Sequence, residues 1–359
     1  MVALSDTLAR GAIRGTDRAV LARRVSVFLI ILLVIVSLYS LTTGAAGTSA
    51  AQALATWITG GEVSLRDRVV LLDIRLPRLM MGVLVGASLA VSGALMQGLF
   101  RNPLADPGIV GISSGAGLGA ITAIVLGPLL PVAFVSLLGH YLVPFAAFLG
   151  GWGTTLLLYR VATRKGRTSV ATMLLAGIAL AAFAAAISGI LVYRADDNQL
   201  RDLTFWSMGS LAGASWSKVF TATPIIILGM AAAPFLAKGL NALALGEATA
   251  GHLGINIQLV KRIAILSVAA STGAAVAMTG GIGFIGIVVP HLLRLATGPD
   301  NRYLLPNAAL LGAILLIVAD MISRVIIAPA ELPIGIVTAV LGSPVFLWIL
   351  LRRRGVLDL

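Results

Sequence analysis

Residues with chemical potential are few in this chain of 359 residues, and the kinds that are missing decide most of what it does not do. Cysteine is absent, which removes disulfides, thiolate metal sites and a cysteine nucleophile together. The three histidines, His140, His252 and His291, stand at no spacing that a metal site uses, so no metal centre is expected. No Gly-x4-Gly-Lys-Ser/Thr phosphate loop occurs, so the chain does not cradle ATP phosphates in that way. What remains is arginine. Arg75 and Arg78 flank Pro77 and share one helix face, and an interfacial arginine pair of this kind suits lipid phosphates. Downstream, Asn102, Pro103, Asp106 and Pro107 must form a turn, because they break helices on both sides.

The elements that position these residues are membrane helices. Of the residues, 58% are hydrophobic and only 11% charged, and mean hydropathy is +1.02, which excludes a soluble domain. The apolar runs are continuous rather than alternating, so an all-α polytopic fold is expected and a β-barrel is not. Ten transmembrane helices are predicted, near 25–43, 78–98, 108–126, 142–159, 170–192, 219–237, 263–279, 281–293, 304–322 and 334–351. With both termini placed in the cytoplasm, 18 of the 26 cations and six of the 14 acids lie inside, so the whole net charge of +12 is cytoplasmic. That asymmetry is the positive-inside pattern; the basic balance reports orientation and implies no nucleic acid. Residues 1–24 read as a basic cytoplasmic segment before an uncleaved first helix, 25–351 as the transmembrane domain, and 352–359 as a cytoplasmic tail.

Two connections are long enough to have a role. The outer one, Tyr193 to Lys218, is charged and then rich in Gly, Ser and Trp, which predicts a short interfacial helix. The inner one, 238–262, is amphipathic and predicted to lie on the cytoplasmic face. The fifth span holds eleven Ala, Gly or Ser residues between Ala171 and Val192, suited to close helix packing or to room for a bulky substrate. Arg194 at its outer end is a candidate for meeting an anionic group in a substrate pathway, or for interfacial snorkelling. Gly108-Ile-Val-Gly-Ile112 and Gly283-Phe-Ile-Gly-Ile287 echo each other with opposite direction, as in the inverted repeats of transporters; small-residue packing accounts for them as well.

Together, Arg75-Leu-Pro-Arg78, Gln97-Gly-Leu-Phe-Arg-Asn-Pro-Leu-Ala-Asp-Pro-Gly108, Gly283-Phe-Ile-Gly-Ile-Val-Val-Pro-His-Leu-Leu-Arg294, Ala319-Asp-Met-Ile-Ser-Arg324, Glu331-Leu-Pro-Ile-Gly335 and Gly342-Ser-Pro-Val-Phe346 resemble the permeases of bacterial iron–siderophore, haem and vitamin B12 importers. The resemblance runs from about residue 25 to the C-terminus. It implies a ten-helix subunit of the bacterial inner membrane that works as a homodimer with two cytoplasmic ATPase subunits and a periplasmic substrate-binding protein. Arg75, Arg78 and Arg324 match arginines that dock the binding protein. Leu245, Gly246, Glu247, Ala250, His252, Leu253 and Gly254 match a coupling helix that engages the ATPase. Asn102 and Leu104, with Thr168 and Ser169, match the border of the cytoplasmic gate. On this resemblance the chain is not itself an enzyme and holds no permanent cofactor, ATP being used by its partner.

Among the substrates of such importers, the wording of Met96-Gln-Gly-Leu-Phe100 and Gly111-Ile-Ser-Ser-Gly-Ala116 favours haem over a ferric siderophore or cobalamin. An ion-coupled secondary transporter is the rival of another class. It needs buried ionisable groups in its spans, and the predicted spans carry almost none, Asp320 lying near an outer end.

Overall fold

The computed structural model describes residues 2–43 and 64–352, with 56, 59 and 60 between them; the expected tail beyond Arg352 lies outside the described residues. Helices run in the order α1 (Val2–Thr42), α2 (Leu65–Phe100), α3 (Ile112–Leu126), α4 (Val132–Leu138), α5 (Leu142–Ala162), α6 (Val170–Arg194) and α7 (Asp197–Met208). They continue with α8 (Trp216–Ala231), α9 (Ala233–Leu243), α10 (Glu247–His252), α11 (Ile257–Thr279), α12 (Ile285–Thr297), α13 (Asn301–Val325) and α14 (Ile334–Arg352). Among the described residues, eight helical stretches are long and apolar enough to cross a membrane, α4 with α5 and α8 with α9 each counting as one. The eighth and tenth predicted spans correspond to the shorter apolar helices Ile285–Thr297 and Ile334–Ile349. One departure from an all-helical chain is a hairpin, Thr163–Arg164 against Arg167–Thr168, closed by Lys165 and Gly166, both at positive φ.

From Val2 onward the backbone is helical and continuous with the first span. Asn307 fastens this helix to α13, accepting from Ser26 Oγ at 2.7 Å and donating to Ala22 O at 3.3 Å.

The centre of the bundle is α2, whose Leu76–Phe100 part is almost wholly buried against α11, α12 and α13. Several crossings are so close that only glycine fits, those at Gly86 and Gly119 among them. A Cβ on Gly86 would lie 2.8 Å from the carbonyl carbon of Gly312 on α13, and one on Gly119 of α3 would lie 2.7 Å from the carbonyl carbon of Ala146 on α5. Without a hydrophobic driving force between helices in lipid, such contacts supply the dispersion attraction that holds helices together.

The outer connection forms a short helix. Asp196 and Gln199 form a capping box that starts α7, and the residues just beyond its C-terminal end are tied into the bundle. Ser210 N–H donates to Thr279 O at 2.7 Å and Ile334 N–H to Gly209 O at 3.1 Å, so the ends of α7 and α11 meet the start of α14. Trp206 packs on the small-residue cluster Ala116, Ala120 and Ala147. A free interfacial position would leave these carbonyls to water; here neighbouring backbones satisfy them. The eighth predicted span begins four residues late for a related reason: Gly280, at φ +74, and Phe284, at φ +68, keep the chain out of a helix before α12.

Candidate functional site

At one end of the bundle, a π turn over Val70–Arg75 interrupts the regular winding of α2 and is followed directly by Pro77 in the first turn of the regular helix. Arg75, Arg78 and Arg324 converge here, and they are buried at 5%, 7% and 6% exposure rather than free on the surface. For Arg78 and Arg324 the reason is a pair of acids. Arg78 donates from Nε to Asp320 Oδ1 and Oδ2 at 2.9 and 3.2 Å, and from Nη1 to Glu331 Oε1 and Oε2 at 2.8 and 2.9 Å. Arg324 Nε lies 3.1 Å from Asp320 Oδ2, one helical turn away, while its other nitrogens reach Thr43 O at 2.9 Å and Ser40 Oγ at 2.8 Å. Arg75 Nη1 donates to Leu41 O at 2.6 Å, and its buried Nη2 has no partner among the described residues. Arg78 and Arg324 thus share Asp320, Arg78 alone also holds Glu331, and Arg75 bonds neither acid.

Composition and spacing do not single out Asp320 and Glu331 as site residues. A signal is nonetheless present for the first: a lone acid in an apolar span, four residues before an arginine, calls for a buried partner.

Near the other end of α2, the turn carrying Asn102 and Leu104 is built by local hydrogen bonds. Asn102 Oδ1 accepts the Leu104 N–H at 2.9 Å, and Asp106 Oδ1 accepts the Gly108 N–H at 2.8 Å. Burial pushes the Asp106 carboxyl above its ordinary range, the bond from Gly108 opposing this. The turn continues through Pro107–Val110, which packs on α6. Thr168 is buried on the hairpin, and Ser169 Oγ caps α6 by accepting the Thr172 N–H at 3.2 Å. Gln97 joins this region to α12, donating to Gly286 O at 3.2 Å and accepting from Arg294.

The segment 238–262 is divided among three helices. Residues up to Leu243 complete α9 and those from Ile257 begin α11, leaving α10 and its two turns as the independent part. Gly246 at φ +106 and Gly254 at φ +76 bound this part, because left-handed backbone is cheap only without a Cβ. Ala250 is buried, whereas Leu245 and Leu253 are 67% and 61% exposed. His252 is exposed. An adjoining groove of about 320 Å³ lies between these leucines, Asn241 and Arg302.

Arg194 is exposed in the last turn of α6, a helix that buries only Met173, Gly177 and Ala184 within this chain. Among the described residues, no three His, Asp or Glu side chains gather as a metal site.

Residues 31–352 match the FecCD transport family. The chain is 46% identical over 329 residues to the hemin transport system permease protein HmuU of Yersinia pestis, covering 91% of this chain and 95% of that one. It is 42% identical over 303 residues to the vitamin B12 import system permease protein BtuC of Salmonella arizonae, covering 82% and 87%. A solved metal-chelate type ABC transporter in an inward-facing conformation superposes with a TM-score of 0.80 at 30% identity, over 92% of this chain and 99% of that one. On sequence and structure alike, the chain belongs to the FecCD transport family of ABC importer permeases.

Proposed function

We propose that this multi-pass inner-membrane protein is the transmembrane subunit through which haem enters the cytoplasm, driven by ATP hydrolysed on two partner subunits. It works as a homodimer, with both of its termini and α10 on the cytoplasmic side, and residues 25–351 form the transport domain. A periplasmic binding protein docks at Arg75, Arg78 and Arg324, and the exposed leucines around Glu247 seat the ATPase. Asn102, Leu104, Thr168 and Ser169 border the cytoplasmic gate, and Arg194 flanks the route taken by an anionic substrate.

The observation that carries this reading is the division of the molecule into two unlike ends. One gathers three buried guanidinium groups, of which Arg75 bonds no carboxylate among the described residues; the other presents apolar side chains on a short, glycine-bounded helix. Docking by a carboxylate-bearing protein fits the first, and insertion into a cleft of a second protein fits the second. Haem is preferred to cobalamin because the hemin permease relative is 46% identical over most of both chains. The ion-coupled alternative is disfavoured by Asp320, a buried acid of the spans that is already neutralised by two arginines.

The test of substrate is uptake into proteoliposomes bearing the complete complex in the presence of its binding protein. Haem is expected to accumulate and to resist competition by cyanocobalamin or a ferric hydroxamate. Preferential accumulation of either competitor would transfer the assignment to it.

A further inference from the structure

Lys261 is a charge that the apolar pattern of its helix does not ask for. It lies in the second turn of α11 and is 2% exposed. Burial penalises an ammonium group there, and the positive end of the helix dipole adds to the penalty. Two acceptors compensate it. Its Nζ donates to Glu247 Oε1 at 2.8 Å and to Thr168 O at 2.8 Å. These acceptors belong to different parts of the protein: Glu247 is the first residue of α10, and Thr168 ends the hairpin immediately before the cap of α6. Gln258 on α11 ties the same threonine from the other side, its Oε1 accepting the Thr168 N–H at 2.9 Å. Both backbone polar groups of Thr168 are therefore held by α11, and one ammonium group joins that clamp to α10.

We infer that Lys261 is a positioning residue that makes α10 and the start of α6 move as one body, so that a displacement of α10 reaches the cytoplasmic mouth. The inference rests on the importer reading, in which α10 is where the ATPase bears. A lysine that only stapled the fold would lower stability when removed and leave transport per ATP unchanged. A positioning lysine changes the ratio itself, because it carries free energy between two sites.

The experiment uses the reconstituted complex with haem-loaded binding protein, and reads haem transported per ATP hydrolysed. Lys261→Met is expected to lower this ratio about tenfold, within the usual range of coupling between sites, and Lys261→Arg to restore most of it. A second readout uses spin labels on cysteines placed at Arg164 and Thr249, both exposed and in a chain with no other cysteine. The inter-label distance is expected to stay narrow with and without ATP in the parent and to broaden in Lys261→Met. Should Lys261→Met fail to assemble, Glu247→Gln, which keeps an acceptor but not its charge, is expected to show the same changes in smaller degree. An unchanged ratio together with an unchanged distance distribution would overturn the inference. A parent complex that neither hydrolyses ATP nor accumulates substrate would instead sink the importer reading, and the distance measurement would still decide the role of Lys261.

Discussion

Replacing Asp320 by Asn should do far more damage than replacing Glu331 by Gln, although both acids bond the same arginine. Asp320 and Arg78 have side chains only 5% and 8% exposed, and Asp320 also faces Arg324 at 3.1 Å. Asp320→Asn therefore leaves two buried guanidinium groups without their shared counter-charge, a loss of about 3–5 kcal/mol by analogy with other broken buried pairs. Glu331 is 38% exposed, so solvent screens its bond to Arg78 and its removal should cost about 0–1 kcal/mol. Apparent melting midpoints in lipid nanodiscs, taken at one heating rate because membrane proteins unfold irreversibly, convert these losses into temperatures. Asp320→Asn is expected to lower the midpoint on the order of 10 °C, and Glu331→Gln by less than about 3 °C. Equal shifts, or an Asp320 variant as stable as the parent, would refute the reasoning that burial rather than bond count sets the worth of each pair.

Gly86→Ala should sharply reduce the yield of folded protein, since its Cβ would press on Gly312 at 2.8 Å, whereas Gly153→Ala, with nothing within 4 Å, should be tolerated; size-exclusion profiles in mild detergent decide this. Because burial raises the Asp106 carboxyl, the folded state holds that proton more tightly than the unfolded chain, so stability falls as pH rises from the ordinary carboxylate value through the folded one. Asp106→Asn keeps the acceptor for Gly108 and should flatten the dependence of melting midpoint on pH just above about pH 4; an unchanged slope would contradict the assignment. Arg75→Gln removes the guanidinium whose Nη2 lacks a partner among the described residues, and should weaken capture of the binding protein several-fold, more at low salt. Capture with an unaltered affinity and salt slope in surface plasmon resonance would take Arg75 out of the docking site.

The membrane spans are legible in the sequence because lipid imposes one rule, about 20 apolar residues in a closed helix, and that rule leaves a strong trace in stretches such as Val25 to Leu41 and Leu304 to Ile322. It is a weaker guide where helices stop inside the bundle. The start of α12 is displaced because Gly280 and Phe284 adopt backbone angles that composition does not reveal. The stretch just beyond α7 is tied into the bundle because its backbone pairs with Thr279 and Ile334, about 70 and 125 positions away. The arginine residues stand out in the sequence, but their burial does not. Pairing Arg78 with Asp320 spans 242 positions, and hydropathy carries no information about which distant helix turns an acid toward which base. Lys261 reads as one more cytoplasmic cation for the same reason: its partners, Glu247 and Thr168, lie 14 and 93 positions away.

The central claim is that this chain forms a passage powered by ATP hydrolysed elsewhere. Its most direct test is haem accumulation inside proteoliposomes that contain the chain, its ATPase and the haem-loaded binding protein, with nucleotide or an ion gradient supplied in turn. Uptake is expected with hydrolysable ATP alone, and none with a non-hydrolysable analogue or when the ATPase is left out. Accumulation driven by a proton or sodium gradient in the absence of the ATPase would contradict the account.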